Sequence, residues 1–401
     1  MSLASCAPTF AALDRQLQAW VANGLLPGVA VGVLRHGQLT HQSCVGYADI
    51  ASATPLRPDH IHRAFSSTKL ITACAALQLW EQGRFDLDDP IEAHIPALGN
   101  RHVLRPGATR IDDTEPARSS ITIRQLFAHN SGLALGLLDP DSLLFKAYAS
   151  SGVRDANLDL AQMMAALGPL PLAFHPGQRW GYSVATDVLA RLVEIHSGQR
   201  FGDYLAEHIF APLAMVDTAH HTPADKQHRL ATLYGPDKHA ADPATAPLLP
   251  LPKLRYPGAL AEPVARQGGS GGLVTTLPDS LALLRALQPS APGPKLLQPD
   301  TLALLTTNQL PAGEAEAVVD FPESGIVRGK GYGLFGAVTA IGAKVNHPSH
   351  AIPGVEWGGL GATHWWIAPN QGLAVALMTQ RYIGFFNPFW FDIKRLVQQA
   401  R

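Results

Sequence analysis

Strand-like sequence occupies both ends of this 401-residue chain, and the middle is helical in pattern. Near the start, Val29 to Leu34 and Leu39 to Val45 flank a turn at Gly37 and predict a β-hairpin. Short strands return beyond about residue 265, and Leu373 to Thr379 is the clearest of them. This order predicts an α/β fold in which both chain ends build one central, mostly antiparallel sheet, with a helical insertion between them.

The sheet-forming ends and the helical middle predict two domains. Residues 1–85 and 226–401 are expected to form a discontinuous α/β sheet domain, and residues 86–225 a helical domain. A cleft between two such domains is a common place for a ligand. Pro-rich stretches near 104–116 and 236–258 predict long surface loops. Helical spacing of apolar residues predicts a helix from Phe10 to about Gly24, and others at Thr122 to Phe127, Leu158 to Leu167, Thr186 to Ile195, Phe201 to Phe210 and Phe389 to Gln399.

Charge and hydropathy exclude several classes of partner. Thirty-one basic and 32 acidic residues leave a net charge of −1, with no basic field for nucleic acid and no charge run for a membrane surface. No apolar stretch approaches the roughly 20 residues that span a bilayer. The first residues also lack a basic segment followed by an apolar one. We therefore expect a cytoplasmic protein with no nucleic-acid or membrane partner, and the oligomeric state stays open.

Cysteine and histidine usage points away from disulfides and metals. The cysteines Cys6, Cys44 and Cys74 are widely spaced and odd in number, so neither a disulfide framework nor a zinc spacing follows. His220 and His221 are adjacent, and adjacent side chains point apart on regular elements. The pair is therefore interpreted as surface histidines rather than metal ligands. We expect no metal and no organic cofactor.

Ser66 and Lys69 form a Ser-x-x-Lys pair at the predicted start of a helix. Three residues make almost one helical turn, so both side chains lie on one face. A Ser hydroxyl needs a base to become a good nucleophile, and a neutral Lys amine can be that base. The helix N-terminus also offers backbone N–H groups to an oxyanion. The alternative is an N-capped core helix with a solvated Lys. Helical spacing predicts an apolar, core-facing stripe that ends near Gly83 and comprises Leu70, Ala73, Cys74, Leu77 and Trp80.

Three further stretches follow Ser66 and Lys69 in chain order: Leu126 to Leu133, Gly181-Tyr182-Ser183, and Trp357-Gly358-Gly359 before a strand. In this order the motifs resemble those of the serine β-lactamase and penicillin-binding protein superfamily. The nearest likeness is to the family VIII carboxylesterases, which are class C β-lactamase-like hydrolases. The resemblance covers nearly the whole chain. It implies a β-lactamase/DD-peptidase-like fold with helices flanking the central sheet.

The resemblance also implies roles for individual residues. Ser66 corresponds to the nucleophile, Lys69 to the general base and Tyr182 to a proton relay between the nucleophile and the leaving group. The backbone N–H groups of Ser66 and Leu360 correspond to the oxyanion hole. Trp357, Gly358 and Gly359 correspond to the substrate-binding third motif of the family.

Two departures from the family pattern concern the substrate. The β-lactamase motif Tyr-x-Asn is Tyr182-Ser183-Val184 in this chain, so an amide that would bind a substrate amide is missing. The usual Lys-Thr-Gly or His-x-Gly is Trp357-Gly358-Gly359, so an aromatic wall replaces a cation that could hold a β-lactam carboxylate. Both changes favour neutral, apolar acyl groups over penicillins. The alternative for Trp357 is a packing residue at a strand start. His129 is interpreted as a buried residue that organises its turn rather than as a catalytic one.

These motifs predict a serine hydrolase that cleaves carboxylic esters of short to medium acyl chains through an acyl-enzyme on Ser66. Ser270, within Gly268 to Gly272, could imitate a nucleophile, but no clear helix follows it. An acyltransferase is the first rival, because Trp357-Gly-Gly followed by Trp365-Trp366 also resembles the acyltransferases of statin biosynthesis. An amide or β-lactam hydrolase is the second. A non-catalytic, penicillin-binding-like sensor is the third, and the presence of both Lys69 and Tyr182 argues against it.

Overall fold

The computed structural model describes residues 9–134, 141–237, 246–252, 256–311, 331–339, 352–382 and 389–400. Its helices are α1 (Ala11–Ala22), α2 (Thr68–Glu81), α3 (Ile123–Phe127), α4 (Leu143–Ser150), α5 (Leu160–Leu167), α6 (Ala185–Ser197), α7 (Phe201–Leu205), α8 (Leu277–Ala286), α9 (Pro299–Ala303) and α10 (Phe389–Gln399). Its strands are β1 (Gly28–Arg35), β2 (Gln38–Asp49), β3 (Thr54–Pro55), β4 (His62–Arg63), β5 (His102–Leu104), β6 (Thr114–Pro116), β7 (Tyr234–Pro236), β8 (Leu248–Pro250), β9 (Val274–Thr275), β10 (Gly331–Tyr332), β11 (Ala337–Thr339), β12 (Gly354–Gly358), β13 (His364–Ala368) and β14 (Leu373–Thr379).

Eight strands form one antiparallel sheet in the order β10-β11-β12-β13-β14-β1-β2-β3. Strand β1 lies between β2, which follows it in the chain, and β14 from the opposite end of the chain. Val29 pairs with Thr379, and Arg35 pairs with Leu373. The predicted hairpin and the predicted C-terminal strand therefore lie in one sheet. The fold class predicted from the sequence, an α/β fold with a central antiparallel sheet flanked by helices, is confirmed.

Helices cover both faces of this sheet, and neighbouring residues of β12 show which helix lies on which face. Glu356 contacts α10 through Lys394, whereas Trp357 faces the other way and contacts Tyr182. Trp365 pairs directly with Trp357, and it lines a small cavity together with residues of α2 and α8. Helices α2 and α8 thus lie on the same face of the sheet as the Trp357 side chain, and α10 covers the opposite face.

A buried ion pair joins α10 to β12. Lys394 Nζ lies 2.6 Å from Glu356 Oε2, and Trp390 Nε1 donates to the same oxygen at 3.2 Å. Burial lowers the pKa of the fully buried Lys394, and the carboxylate beside it opposes that shift. Removing one partner from such a pair costs about 3–5 kcal/mol, because the other charge stays buried alone. The C-terminal helix is thereby tied to the strand that carries Trp357.

Helix α2 is buried on nearly all sides, which corrects the prediction of a single apolar stripe. Eleven of its 14 residues are buried, including Lys69 and Thr72. The helix is enclosed because it packs against α6 and α7 as well as beneath the sheet. Its predicted end is confirmed, since Gly83 follows the C-cap residue with a left-handed φ of +68°.

The middle of the chain contains the predicted helices as α3, α5, α6 and α7, and a π-helical turn at Ala206–Phe210 continues α7. Helices α4, α8 and α9 were not predicted. The two Pro-rich stretches overlap the short hairpins β5–β6 and β7–β8. Residues 105–113 form a mostly exposed loop between β5 and β6, as predicted, whereas residues 238–245 and 253–255 of the second stretch lie outside the described residues. The boundaries of the two domains stay predictions. Within the described ranges, no helix is long and apolar enough to cross a bilayer.

His220 is buried, which corrects its interpretation as a surface residue. Its Nε2 lies 3.1 Å from the carbonyl oxygen of Gly268. His62 is also buried, and its Nδ1 lies 2.9 Å from the carbonyl oxygen of His60. Burial lowers the pKa of His62 and of His220 from 6.5 to about 4 in each case.

We expect the protein to lose stability as the pH falls from 6.5 towards 4. In that window the unfolded chain binds protons that His62 and His220 do not bind in the fold, so the free energy of unfolding falls with pH. The loss is about 1.4 kcal/mol per pH unit for each histidine. Urea unfolding between pH 7.5 and 5 measures it. His220→Gln, which can still donate to Gly268, should flatten the slope, and an unchanged slope would contradict the assignment to His220.

Candidate active site

Ser66 lies in a 3₁₀ turn, Phe65–Ser67, directly before α2. Phe65 has a φ of +47°, an uncommon conformation for a bulky residue. Tyr256 holds the turn, since its hydroxyl accepts from the Phe65 N–H at 2.8 Å and donates to the Leu273 carbonyl at 2.8 Å. Such strain persists only where surrounding contacts impose it, as they do directly before Ser66.

The structure brings Ser66, Lys69 and Tyr182 together. The Tyr182 hydroxyl donates to Ser66 Oγ at 2.8 Å, and Lys69 Nζ donates to the same oxygen at 3.3 Å. Lys69 Nζ also lies 4.7 Å from the centre of the Tyr182 ring. Two groups that can exchange protons therefore meet at one hydroxyl, which is the geometry that general acid–base catalysis requires.

The glycine-rich run Gly268 to Gly272 positions Lys69. The carbonyl oxygen of Ser270 accepts from Lys69 Nζ at 2.6 Å. The Ser270 N–H donates to Asp187 Oδ1 at 3.0 Å, and the Gly269 carbonyl accepts from Thr72 Oγ1 at 2.8 Å. Ser270 Oγ is buried with no hydrogen-bond partner in the described part of the chain. Ser270 therefore contributes its backbone to the site, and helix α8 begins only at Leu277.

Aromatic rings surround Tyr182. His129 lies 4.9 Å from it, Trp357 5.3 Å and Trp180 6.1 Å, measured between ring centres. Tyr332 contacts His129, Trp180 and Trp357 in turn. Trp180 and Tyr332 were not among the predicted site residues. The available signals were the spacing of Trp180, two residues before Tyr182, and the glycines on both sides of Tyr332.

His129 is buried and neutral at physiological pH. It has a φ of +53°, and its Nδ1 lies 3.0 Å from Ser183 Oγ. Burial, together with the nearby Lys69 charge, holds the pKa of His129 well below its usual value. A buried ring in a left-handed turn agrees with its interpretation as a residue that organises the turn.

Trp357 donates from Nε1 to the Tyr182 hydroxyl oxygen at 3.2 Å, and only 4 % of the residue is exposed. It lies inside β12 rather than before a strand, which corrects the sequence interpretation. Gly358, next along the strand, pairs with His364. The indole therefore provides one wall of the aromatic surroundings and also contacts the phenol that meets Ser66.

For the ester hydrolysis that the sequence predicts, we expect Trp357→Phe to lower kcat about tenfold with every ester, because the hydrogen bond to Tyr182 is lost. Trp357→Ala should add a loss that grows with acyl length, because apolar contact area is lost too. Rates with p-nitrophenyl acetate, butyrate and octanoate measure both effects. If the two variants lose the same factor with every ester, the predicted role of Trp357 in specificity is wrong.

The turn from Gly359 to Thr363 packs against the residues around Ser66. Thr363 Oγ1 donates to the Ala64 carbonyl at 2.8 Å, and Ser67 Oγ donates to the Thr363 carbonyl at 3.2 Å. A side chain on Gly359 would collide with the Ala64 carbonyl. In the part of the chain that the structure describes, the N–H of Leu360 has no acceptor. This N–H is therefore available to a ligand, as the predicted oxyanion role of Leu360 requires.

Val184 is buried and occupies the N-cap position of α6, with no side-chain cap. Its N–H donates to the Ala134 carbonyl at 3.2 Å. The position therefore offers an apolar side chain where a Tyr-x-Asn motif would place an amide.

The chain is similar to known proteins in both sequence and fold. A family model described as Beta-lactamase matches residues 13–397. Esterase EstB from Burkholderia gladioli is 30% identical over 388 residues, which cover 93% of this chain and 91% of that protein. Acyltransferase calJ from Penicillium decumbens is 27% identical, over 90% of this chain and 84% of that protein. The simvastatin synthase LovD from Aspergillus terreus shares the fold, with a TM-score of 0.78, 24% identity, and 98% of both chains covered.

Proposed function

Because this chain belongs to the beta-lactamase family, we propose that it is a serine carboxylesterase that cleaves esters of short to medium acyl chains through an acyl-enzyme on Ser66. The family to which the chain belongs and its similarity to an esterase support a serine hydrolase or acyltransferase of this fold. The finer assignment depends on one observation: the hydroxyl of Tyr182 and the amine of Lys69 both contact Ser66 Oγ.

Acylation uses the three side chains in sequence. Ser66 Oγ attacks the ester carbonyl while Lys69, acting as the general base, takes its proton. The carbonyl oxygen becomes an oxyanion that accepts from the N–H groups of Ser66 and Leu360. Tyr182 donates its hydroxyl proton to the departing alcohol and is reprotonated from Lys69, 4.7 Å from its ring centre. The products of this half-reaction are the alcohol and a Ser66 ester.

Deacylation reverses the proton path with water as the nucleophile. Lys69 and Tyr182 take a proton from the water as it attacks the acyl carbonyl, and the proton returns to Ser66 Oγ as the acid leaves. Trp357 positions the phenol in this path, because its Nε1 donates to the phenol oxygen at 3.2 Å.

A phosphonate ester probe tests the proposal most directly. We expect the intact mass to increase by one phosphonyl group, with the modified peptide containing Ser66. Prior incubation with a p-nitrophenyl ester substrate should slow the labelling. A protein that is folded but unlabelled would indicate the non-catalytic sensor, and labelling at another residue would contradict the assignment of Ser66.

We expect clear hydrolysis of p-nitrophenyl butyrate and little or no hydrolysis of benzylpenicillin. The buried, apolar Val184 replaces an amide, and Trp357 replaces a cation that could bind the penicillin carboxylate. A pocket that lacks a partner for a polar substrate group disfavours that substrate by roughly 10²-fold. Values of kcat/KM measured side by side decide the matter. A penicillin value equal to the ester value would favour the β-lactam hydrolase.

Acyl transfer to an alcohol is the second candidate function. Relatives of this chain include an acyltransferase as well as an esterase, and the Ser66 acyl-enzyme is common to both reactions. The aromatic rings of Trp180, Tyr332 and Trp357 offer an apolar surface on which an acceptor alcohol could compete with water. The ratio of transferred to hydrolysed acyl group, measured over a series of alcohol concentrations, separates the two functions.

A further inference from the structure

A groove of about 430 Å³ lies beside the β5–β6 hairpin. Val103, Leu104 and Phe174 give it an apolar floor, and Arg105, Arg118 and Arg179 lie around its rim. We call it the arginine groove. None of the described residues that contact Ser66 lines it, so it is separate from the candidate active site. Its volume lies in the range of sites for small organic ligands.

The charges of the arginine groove are unbalanced. Glu115 is the one carboxylate among the described residues of its lining, and both of its oxygens are engaged. Oε1 lies 3.0 Å from His175 Nε2, and Oε2 lies 3.4 Å from Arg105 Nη1. Arg105 also lies 3.5 Å from Asp113. By contrast, the guanidinium of Arg118 has no acceptor within the described residues.

His175 joins the backbone of Arg118 to the Glu115 side chain. Its Nδ1 accepts from the backbone N–H of Arg118 at 3.3 Å, which leaves Nε2 as the protonated nitrogen that donates to Glu115. The Glu115 carboxylate is thus bonded to His175 and Arg105, and Arg118 is not among its partners in the described residues. The guanidinium of Arg118 is left for a ligand that brings its own negative charge.

We propose that the arginine groove binds a monocarboxylate with a short apolar tail. The carboxylate would accept from the guanidinium of Arg118, whose planar fork matches two carboxylate oxygens. The tail would cover Val103, Leu104 and Phe174. Acids of this kind are the product class of ester hydrolysis, and that link alone rests on the proposed function.

Arg179 is the less suitable residue for a test of this proposal. Its guanidinium lies 4.1 Å from the centre of the Phe174 ring. A Cβ on Gly181 would lie 2.6 Å from Cε1 of Phe174, so this ring contacts the chain directly before Tyr182. A change at Arg179 would therefore disturb both sites. Arg118 has no such connection, and Arg110 offers a matched control because it is exposed, pairs with Asp112 at 2.6 Å and does not line the groove.

Calorimetric titration with hexanoate tests the proposal. We expect a Kd of about 1 mM for the unmodified protein, an ordinary value for a ligand of this size. Arg118→Gln should weaken binding at least about tenfold, as expected for a lost charged hydrogen-bond pair. Arg110→Gln should leave the Kd within a factor of about two, because it removes a charge outside the groove. Hexanamide should bind at least about tenfold more weakly than hexanoate, and each methylene removed should weaken binding about threefold.

Three outcomes would overturn the proposal. These are the absence of saturable binding, a Kd that Arg118→Gln leaves unchanged (which would locate the acid elsewhere, including at Ser66), and inorganic phosphate binding as tightly as hexanoate. The titration needs no turnover. Its failure is thus distinguishable from failure of the proposed function, which phosphonate labelling of Ser66 reports independently.

Discussion

Ester hydrolysis is expected to fall by about 10⁴ to 10⁶-fold when Ser66 is replaced by Ala, because loss of a nucleophile removes the covalent path entirely. Stability should change little, since Ser66 is partly exposed and its side-chain hydrogen bonds within the described residues are those to Lys69 and Tyr182. The measurement is kcat/KM with p-nitrophenyl butyrate, alongside thermal unfolding of the same preparation.

Ser270→Ala is the matched control for this variant. Ser270 lies next to the same Lys69, but its contact is through the backbone carbonyl, and its hydroxyl has no partner in the described ranges. We expect kcat/KM within about threefold of the unmodified protein, in keeping with a side chain outside the proton path. Full activity in the Ser66 variant together with loss of activity in the Ser270 variant would show that Ser270, and not Ser66, is the nucleophile.

Lys69→Ala and Tyr182→Phe are each expected to reduce kcat by about 10² to 10⁴-fold, the usual contribution of a general acid or base. The two groups contact one oxygen, Ser66 Oγ, and serve one proton path. Loss of either should therefore disable the path almost as fully as loss of both. Pre-steady-state release of p-nitrophenol measures acylation separately from deacylation in each variant.

The double variant tests whether the pair acts as a unit. We expect its rate to lie within about tenfold of the slower single variant, far above the product of the two effects. Strictly multiplicative effects would show that Lys69 and Tyr182 act in different steps. Thermal unfolding must accompany the comparison because Lys69 is buried, with its Nζ also bonded to the Ser270 carbonyl at 2.6 Å.

The central arrangement was predictable because it depends on short-range patterns placed in order along the chain. Ser66 and Lys69 are related by helical spacing, and Tyr182 was added by resemblance to a family whose motifs occur in the same sequence. The hairpin around Gly37 and the strand from Leu373 to Thr379 were predictable because turn residues and continuous apolar runs mark them clearly. The catalytic roles of these side chains stay predictions.

What could not be predicted depends on contacts between distant parts of the chain. The backbone carbonyl of Ser270 accepts a hydrogen bond from Lys69, 201 residues away in the chain. No local sequence pattern indicates that Ser270 contributes its carbonyl oxygen rather than its hydroxyl group. Burial of His220 beneath Gly268 has the same origin. The burial of helix α2 on nearly all sides could not be predicted, because the same apolar stripe occurs in helices with one covered face and in helices that are fully enclosed. Enclosure by α6 and α7 decides between the two.

The pairing of β1 with β14 has a consequence for synthesis of the protein. Val29 pairs with Thr379, which is synthesised 350 residues later. At 5–20 residues per second, translation of these residues takes about 20 to 70 s. Throughout that interval the nascent N-terminal hairpin exposes an unpaired, apolar strand edge, the kind of surface that recruits other chains. We therefore expect the yield of active protein in a recombinant host to depend on translation speed and on chaperones that shield the emerging hairpin, more than on the stability of the finished molecule.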